Sequence, residues 1–272
     1  ESAYRMGSIS RKLERLPPVN EPLDLPLPQE LKLSSAVRRT PQRGFQVPLL
    51  FGTTTYEKRD VLRFEGDRPR RVFNSAFLLS ETGNIVDRYD KIELLVFGEY
   101  VPFVDRFPQF YEWVPAAGDL ERGAEIRSLN MDYKGENVRL GTLICYEGIL
   151  PEFVREMMKT NPEILINITN DDWFGPTAER YLHFALAIPR AIEQRRAFVR
   201  STLTGVSGFV DPVGRLIKVT KMTGPEIIDW DVPRLTVPTL YQAGGYWFER
   251  ACAGLFAVML IGGYWRRRSI LR

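Results

Sequence analysis

An α/β domain with a partly antiparallel sheet is the fold class this sequence predicts, and three observations predict it. From Phe45 onward, short apolar runs of strand length recur between turn residues. Residues 81–84 and 211–215 carry Gly, Asn, Asp and Pro at hairpin spacing, which implies at least two antiparallel connections. Other intervals carry helical periodicity, and strands mixed with helices and hairpins make an α/β fold.

In chain order, residues 8–44 are rich in Pro, Arg, Lys and Glu without sustained periodicity and read as an extended surface segment. Strands are expected at 47–54, 72–80, 138–145, 164–168, 198–203, 206–210 and 216–220, each a short apolar run bounded by turn residues. A helix is expected from Pro151 to Lys159, because proline followed by Glu152 suits a first helical turn. A second is expected over 180–197, with Leu182, Ala185, Ile188, Ala191 and Ile192 near one face and Pro189 kinking or dividing it.

The C-terminal part differs in kind. Residues 251–265 are uncharged, and Arg266, Arg267, Arg268 and Arg272 follow them. As a helix the uncharged run covers about 22 Å, short of the roughly 30 Å hydrocarbon core, and extension back to Tyr246 reaches it if Glu249 and Arg250 lie in the interface. The expectation is a catalytic domain over 1–240, a transmembrane helix over 246–265 and a basic cytoplasmic tail over 266–272. That puts the globular part across the membrane from the arginines. The alternative is a C-terminal helix buried in a soluble core.

Composition narrows the chemistry. The 272 residues carry 37 Lys and Arg against 34 Asp and Glu, a surplus of +3 that is too small and too dispersed to indicate nucleic-acid binding. Two cysteines, Cys145 and Cys252, cannot make a disulfide framework. His183 is the sole histidine, which removes His-rich zinc sites and multi-histidine relays, so Cys, Lys and carboxylates remain as catalytic options and neither metal nor cofactor is expected. The chain opens Glu-Ser-Ala with no signal-peptide pattern and reads as part of a longer or processed protein.

Cys145 ends an apolar run and precedes Tyr146-Glu147-Gly148, where a sharp strand-to-helix turn would expose a nucleophile. A free cysteine at a strand end is also an ordinary core residue. Lys91 stands among acids, a setting usual for a solvated charge, but Glu99 lies in an apolar segment where a carboxylate needs a partner, and Lys91 is one candidate. The Asn and Asp residues of Asn167–Gly175, which follow a strand-like run, read either as an Asx-turn or, with Trp173 and Phe174, as the wall of a pocket. His183 reads as a satisfied structural histidine on a helix.

Five segments occur in order: Tyr89-Asp90-Lys91, Phe97-Gly98-Glu99-Tyr100-Val101-Pro102, Cys145-Tyr146-Glu147, Asn170-Asp171-Asp172-Trp173-Phe174-Gly175, and Thr204-Gly205-Val206 with Asp211-Pro212-Val213-Gly214-Arg215. Together they resemble the nitrilase-type domain of the apolipoprotein N-acyltransferases, over about residues 45–220. The resemblance implies an αββα sandwich followed by a membrane helix, with Cys145 as nucleophile, Lys91 as triad lysine, and Glu99, Tyr146 and Glu147 in support. It implies Glu1, in Glu1-Ser2-Ala3, as general base, the glutamate that in the family commonly ends a Trp-Pro-Glu segment. It further implies a phospholipid acyl donor, an apolipoprotein acceptor and a place in the bacterial inner membrane with the catalytic domain on the periplasmic side. A carbon–nitrogen hydrolase acting on a small amide and a membrane-tethered binding module without chemistry are the competing readings.

Overall fold

The computed structural model describes residues 46–58, 70–104, 106–107, 109–110, 118–221 and 224–270. Two sheets carry the fold. The first is antiparallel, in the order β1 (Leu49–Lys58), β2 (Arg70–Leu79), β3 (Ile85–Asp90). The second runs β4 (Leu129–Tyr133), β5 (Glu136–Ile144), β6 (Ile164–Thr169), β7 (Ala197–Thr202), β8 (Gly208–Val210), β9 (Leu216–Val219) in spatial as in chain order. Its centre, β5-β6-β7, is parallel and its flanks are antiparallel.

Parallel neighbours need crossovers, and α1 (Pro151–Met157) and α2 (Glu179–Gln194) supply them. Helices on one face and the first sheet on the other bury β5 from both sides, so its last five residues form an unbroken buried run. Ala76, Leu78 and Tyr89 of the first sheet join Leu129, Leu140 and Leu143 in one apolar cluster, to which Phe153, Val154 and Met157 of α1 and Phe184, Ala187 and Ala191 of α2 also belong. The described residues thus form three layers of the expected αββα sandwich: sheet, sheet, helices. All seven expected strands form, with ends shifted by up to four residues.

β3 and β4 carry no apolar run: β3 is the second strand of the hairpin expected at 81–84, whereas β4 was not expected. β3 buries only Tyr89 and β4 only Leu129, and pairing across the sheet holds them. α2 continues through Pro189 undivided. The buried Ala187, Arg190, Ala191 and Gln194 anchor its last turns to the domain, and tertiary packing outweighs the missing amide.

The expectation for the C-terminus is met in part. After α3 (Leu240–Gly244), capped by Thr239, one helix α4 runs Trp247–Ile270, past the expected boundary at 265. Among the described residues no helix is long and apolar enough to cross a membrane. The reason lies in composition, since Glu249, Arg250, Arg266 and Arg267 lie within α4 and dilute its apolar stretch. Nor is α4 buried in the domain: Leu255, Phe256, Val258, Met259, Leu260 and Ile261 are all exposed.

Candidate active site

The site forms where strand ends of both sheets meet loops. Lys91 directly follows β3, and its amide donates to the Asn74 carbonyl at 2.8 Å, so the residue leaves the ladder in a fixed direction. The next loop closes on itself, with the Glu99 amide donating to Leu95 O at 2.8 Å and the Phe97 amide to Tyr100 O at 2.8 Å. This turns Glu99 back toward Lys91. The lysine ammonium donates to Glu99 Oε2 at 2.6 Å, with side-chain exposures of 1% and 15%. The Leu95 amide shares Oε2 at 2.9 Å, and Asn74 Nδ2 donates to Oε1 at 3.4 Å. A buried ammonium is tolerable only with such a partner.

Cys145 follows the last residue of β5 and opens a short 3₁₀ turn, Cys145–Ile149. Its φ is 53°, the left-handed region, which a non-glycine residue occupies at a cost of about 1–3 kcal/mol unless its surroundings impose it. The imposing contacts are visible. Glu147 folds back so that its Oε2 accepts the Ile144 amide at 2.8 Å, while Oε1 accepts the Tyr89 hydroxyl at 3.0 Å and the Ile92 and Glu93 amides at 2.7 and 3.0 Å. Asn167 Nδ2 donates to the carbonyls of Leu143 and Cys145, both at 3.1 Å. Burial pushes the Glu147 carboxyl up to about 7, against those amide donors and the more distant Lys91 charge, which pull it down. It also pushes Tyr89 well up, reinforced by the neighbouring Glu147 charge.

A cleft of about 510 Å³ opens beside Cys145. Its lining combines polar side chains, Thr53, Thr54, Asn74, Glu99, Asn170 and Ser201, with apolar ones, Leu120, Ile144, Ile168, Leu203 and Trp173. Such a cleft joins a thiol, an ammonium–carboxylate pair and apolar lining residues, the parts needed for acyl chemistry on a substrate with a hydrocarbon portion. Among the described residues no three metal-ligating side chains cluster.

Residues 37–239 match the profile of the carbon-nitrogen hydrolase family. The chain belongs to that family. Within it, the chain is similar to the apolipoprotein N-acyltransferase of Geobacter metallireducens, 37% identical over 208 residues that make up 76% of this chain and 39% of the relative. It is 43% identical over 136 residues to that of Bdellovibrio bacteriovorus, covering 50% and 25% of the two chains. It is 28% identical over 280 residues to that of Chlorobaculum tepidum, covering 97% and 52%. The chain therefore spans only a quarter to about half the length of these curated relatives. Among solved structures it is similar to a carbon-nitrogen hydrolase from Helicobacter pylori G27, at 19% identity, TM-score 0.45, and coverage of 65% and 59%.

Of the residues expected in a carbon-nitrogen hydrolase site, the structure brings Cys145 and Glu99 to one cleft and ties Lys91 to Glu99 behind it. Trp173 lines the cleft at its mouth, 79% exposed. Tyr146 lies half-buried in the turn after Cys145. Glu1 lies outside the described residues. Glu147, expected in support near the thiol, stands two residues after Cys145, and both its oxygens accept hydrogen bonds from the Tyr89 hydroxyl and backbone amides, which brace the turn. Phe174, expected beside Trp173 in the pocket wall, is not among the residues that line the cleft; its ring stands edge-on to the His183 imidazole, centroids 5.6 Å apart. His183 is the satisfied structural histidine expected of it, bonded to Asp171. Arg200 was not singled out; its signal was a cation in the middle of a strand, Ala197–Thr202.

Proposed function

We propose that this chain carries the catalytic domain of an apolipoprotein N-acyltransferase, which moves an acyl chain from a phospholipid to the N-terminal amine of a diacylglyceryl-cysteine lipoprotein. The observation that carries the reading is Cys145 in a left-handed turn at the end of β5, lining a half-apolar cleft with the Glu99 that holds a buried Lys91. The names of the relatives support the substrate classes.

In this reading Glu1 accepts the Cys145 proton, and the thiolate attacks the ester carbonyl of the donor. Lys91 and the Tyr146 amide stabilise the tetrahedral oxyanion, with Glu99 holding the ammonium in place. Collapse breaks the ester C–O bond, and the departing lysophospholipid alkoxide takes the proton from Glu1. The lipoprotein amine then attacks the thioester, Glu1 takes its proton, and collapse to the amide releases the Cys145 thiolate, which recovers that proton. Exclusion of water protects the thioester until the amine arrives. Trp173 and the other apolar lining residues receive the acyl chain.

The protein resides in this reading in the bacterial inner membrane, with the catalytic domain on the periplasmic side. The exposed apolar side chains of α4 support a membrane seat for that helix, whose uncharged stretch is too short to cross the hydrocarbon core by itself and does so only if Glu249 and Arg250 snorkel to one interface, with Arg266 and Arg267 at the cytoplasmic one. A membrane-impermeant reagent that labels a tag after Arg272 on intact cells refutes this orientation. For the chemistry, the full-length protein incubated with phospholipid should gain one acyl mass on Cys145, removable by neutral hydroxylamine and absent in Cys145→Ala. An adduct on another residue, or one that persists in Cys145→Ala, overturns the reading.

A further inference from the structure

Behind the cleft lies a buried polar chain that the acyl-transfer chemistry does not use. Arg200, on the central strand β7, is fully buried. Its Nη1 donates to Asn167 Oδ1 at 2.6 Å and its Nη2 to Asp171 Oδ2 at 2.8 Å. The other Asp171 oxygen meets His183 Nδ1 at 2.8 Å and Thr169 Oγ1 at 3.1 Å. With Asp171 ionised between Arg200 and His183, Nδ1 must carry a proton and donate it, so the 3.0 Å approach of Arg200 Nη2 to Nδ1 is a contact between two donors and not a bond. The guanidinium also lies over the Phe184 ring, 5.6 Å from its centroid.

The chain ends at the nucleophile. Asn167, oriented by Arg200 through Oδ1, spends its amide hydrogens on the carbonyls of Leu143 and Cys145. Two glycines make room for it: a Cβ on Gly148 would lie 2.8 Å from Asn167 Nδ2, and one on Gly205 would lie 2.6 Å from Asp171 Oδ2. The Thr204-Gly205 segment thereby acquires a role. Burial pushes the Arg200 guanidinium down, while the Asp171 charge and hydrogen bond hold it up.

We propose that Arg200 is a positioning residue for Cys145: its fork orients Asn167, which fixes the Cys145 carbonyl and with it the left-handed backbone that presents the sulfur to the cleft. The proposal rests on the reading of Cys145 as the acyl-transfer nucleophile. Lysine keeps the charge but cannot present two parallel N–H donors in fixed directions to both Asn167 and Asp171. Aspartate at 167 keeps the acceptor for Arg200 and loses both donors to the turn.

The test uses Arg200→Lys and Asn167→Asp in the full-length protein with Cys252→Ser, and reads two rates. One is acyl transfer, separated into kcat and KM. The other is alkylation of Cys145 by iodoacetamide at one fixed pH, located by peptide mapping. The expected result is a folded protein whose kcat is about 10- to 100-fold lower, the scale of a misplaced reacting group, with KM for the phospholipid unchanged and a parallel fall in alkylation. Folded variants with wild-type alkylation and kcat overturn the proposal, as does a change confined to KM. If Arg200→Lys does not fold, Asn167→Asp decides by the same readouts; if neither folds, Arg200 is a strut of the sheet and the proposal falls. A wild-type protein that forms no thioester at Cys145 refutes the acyl-transfer reading instead, and the alkylation comparison still decides the role of Arg200.

Discussion

Glu147 and Asp171 are both fully buried, and each belongs to a network that reaches the turn of Cys145, yet their surroundings differ in kind. Glu147 receives neutral dipoles, three amides and a hydroxyl. Burial wins there and pushes its carboxyl up to about 7. For Asp171 burial pushes upward too, but the His183 hydrogen bond and the Arg200 charge outweigh it and hold the carboxyl below the usual carboxylate range. Desolvation is common to both acids; a bonded guanidinium reverses its effect and amides do not. The first acid therefore acts as a backbone brace, the second as the counterion of a buried cation.

The largest effect should come from Asp171→Asn, which strands Arg200 as an uncompensated buried cation. A cost of about 3–5 kcal/mol is expected in urea unfolding, against about 1–3 kcal/mol for Glu147→Gln, whose partners are neutral. In the Glu147 variant, hydrogen exchange should show lost protection concentrated at the Ile92, Glu93 and Ile144 amides, which donate to it. A reversed order of the two costs would break the comparison.

Next in size are opposed pH slopes. The folded state holds the Glu147 proton more tightly than the unfolded state does, so this group's contribution is full below about pH 4.5 and lost as pH rises through 7, a loss of roughly 3 kcal/mol. Asp171 has the opposite sign: its contribution is present above the ordinary aspartate pKa of about 3.9 and lost as pH falls through its lower folded value. Unfolding free energy measured across pH should descend less between about 4.5 and 7 in Glu147→Gln, while Asp171→Asn should flatten the acid limb. If both variants alter the same limb, the two acids are not opposites.

The smallest effect sharpens the contrast with the surface. Lys159 and Glu156 form an ion pair at 2.6 Å, but the lysine side chain is 67% exposed. Lys159→Ala should change the thermal midpoint by no more than about 0.5 kcal/mol of stability implies, and added salt should erase the difference.

Much of this molecule was legible in its residues because the deciding signals are local. Apolar runs marked seven of the nine strands among the described residues, and turn residues at 81–84 and 211–215 marked two hairpins. Lys91 and Glu99 stand eight residues apart and meet through one self-closing loop, so a carboxylate in an apolar segment pointed to its own partner. Cys145 at the end of an apolar strand pointed to an exposed turn. What tertiary structure alone decided depends on contacts between distant segments. Glu147 faces Tyr89, 58 residues earlier, and so braces the turn when its sequence neighbour is the nucleophile. Arg200 reaches Asn167, 33 residues away, because parallel pairing of β6 and β7 sets the two residues opposite each other, and reaches Asp171, 29 residues away, in the loop that follows β6. A strand pattern tells which residues alternate, but which buried polar groups share a partner follows from register and packing, since desolvation makes each of them depend on whichever group the fold brings within reach.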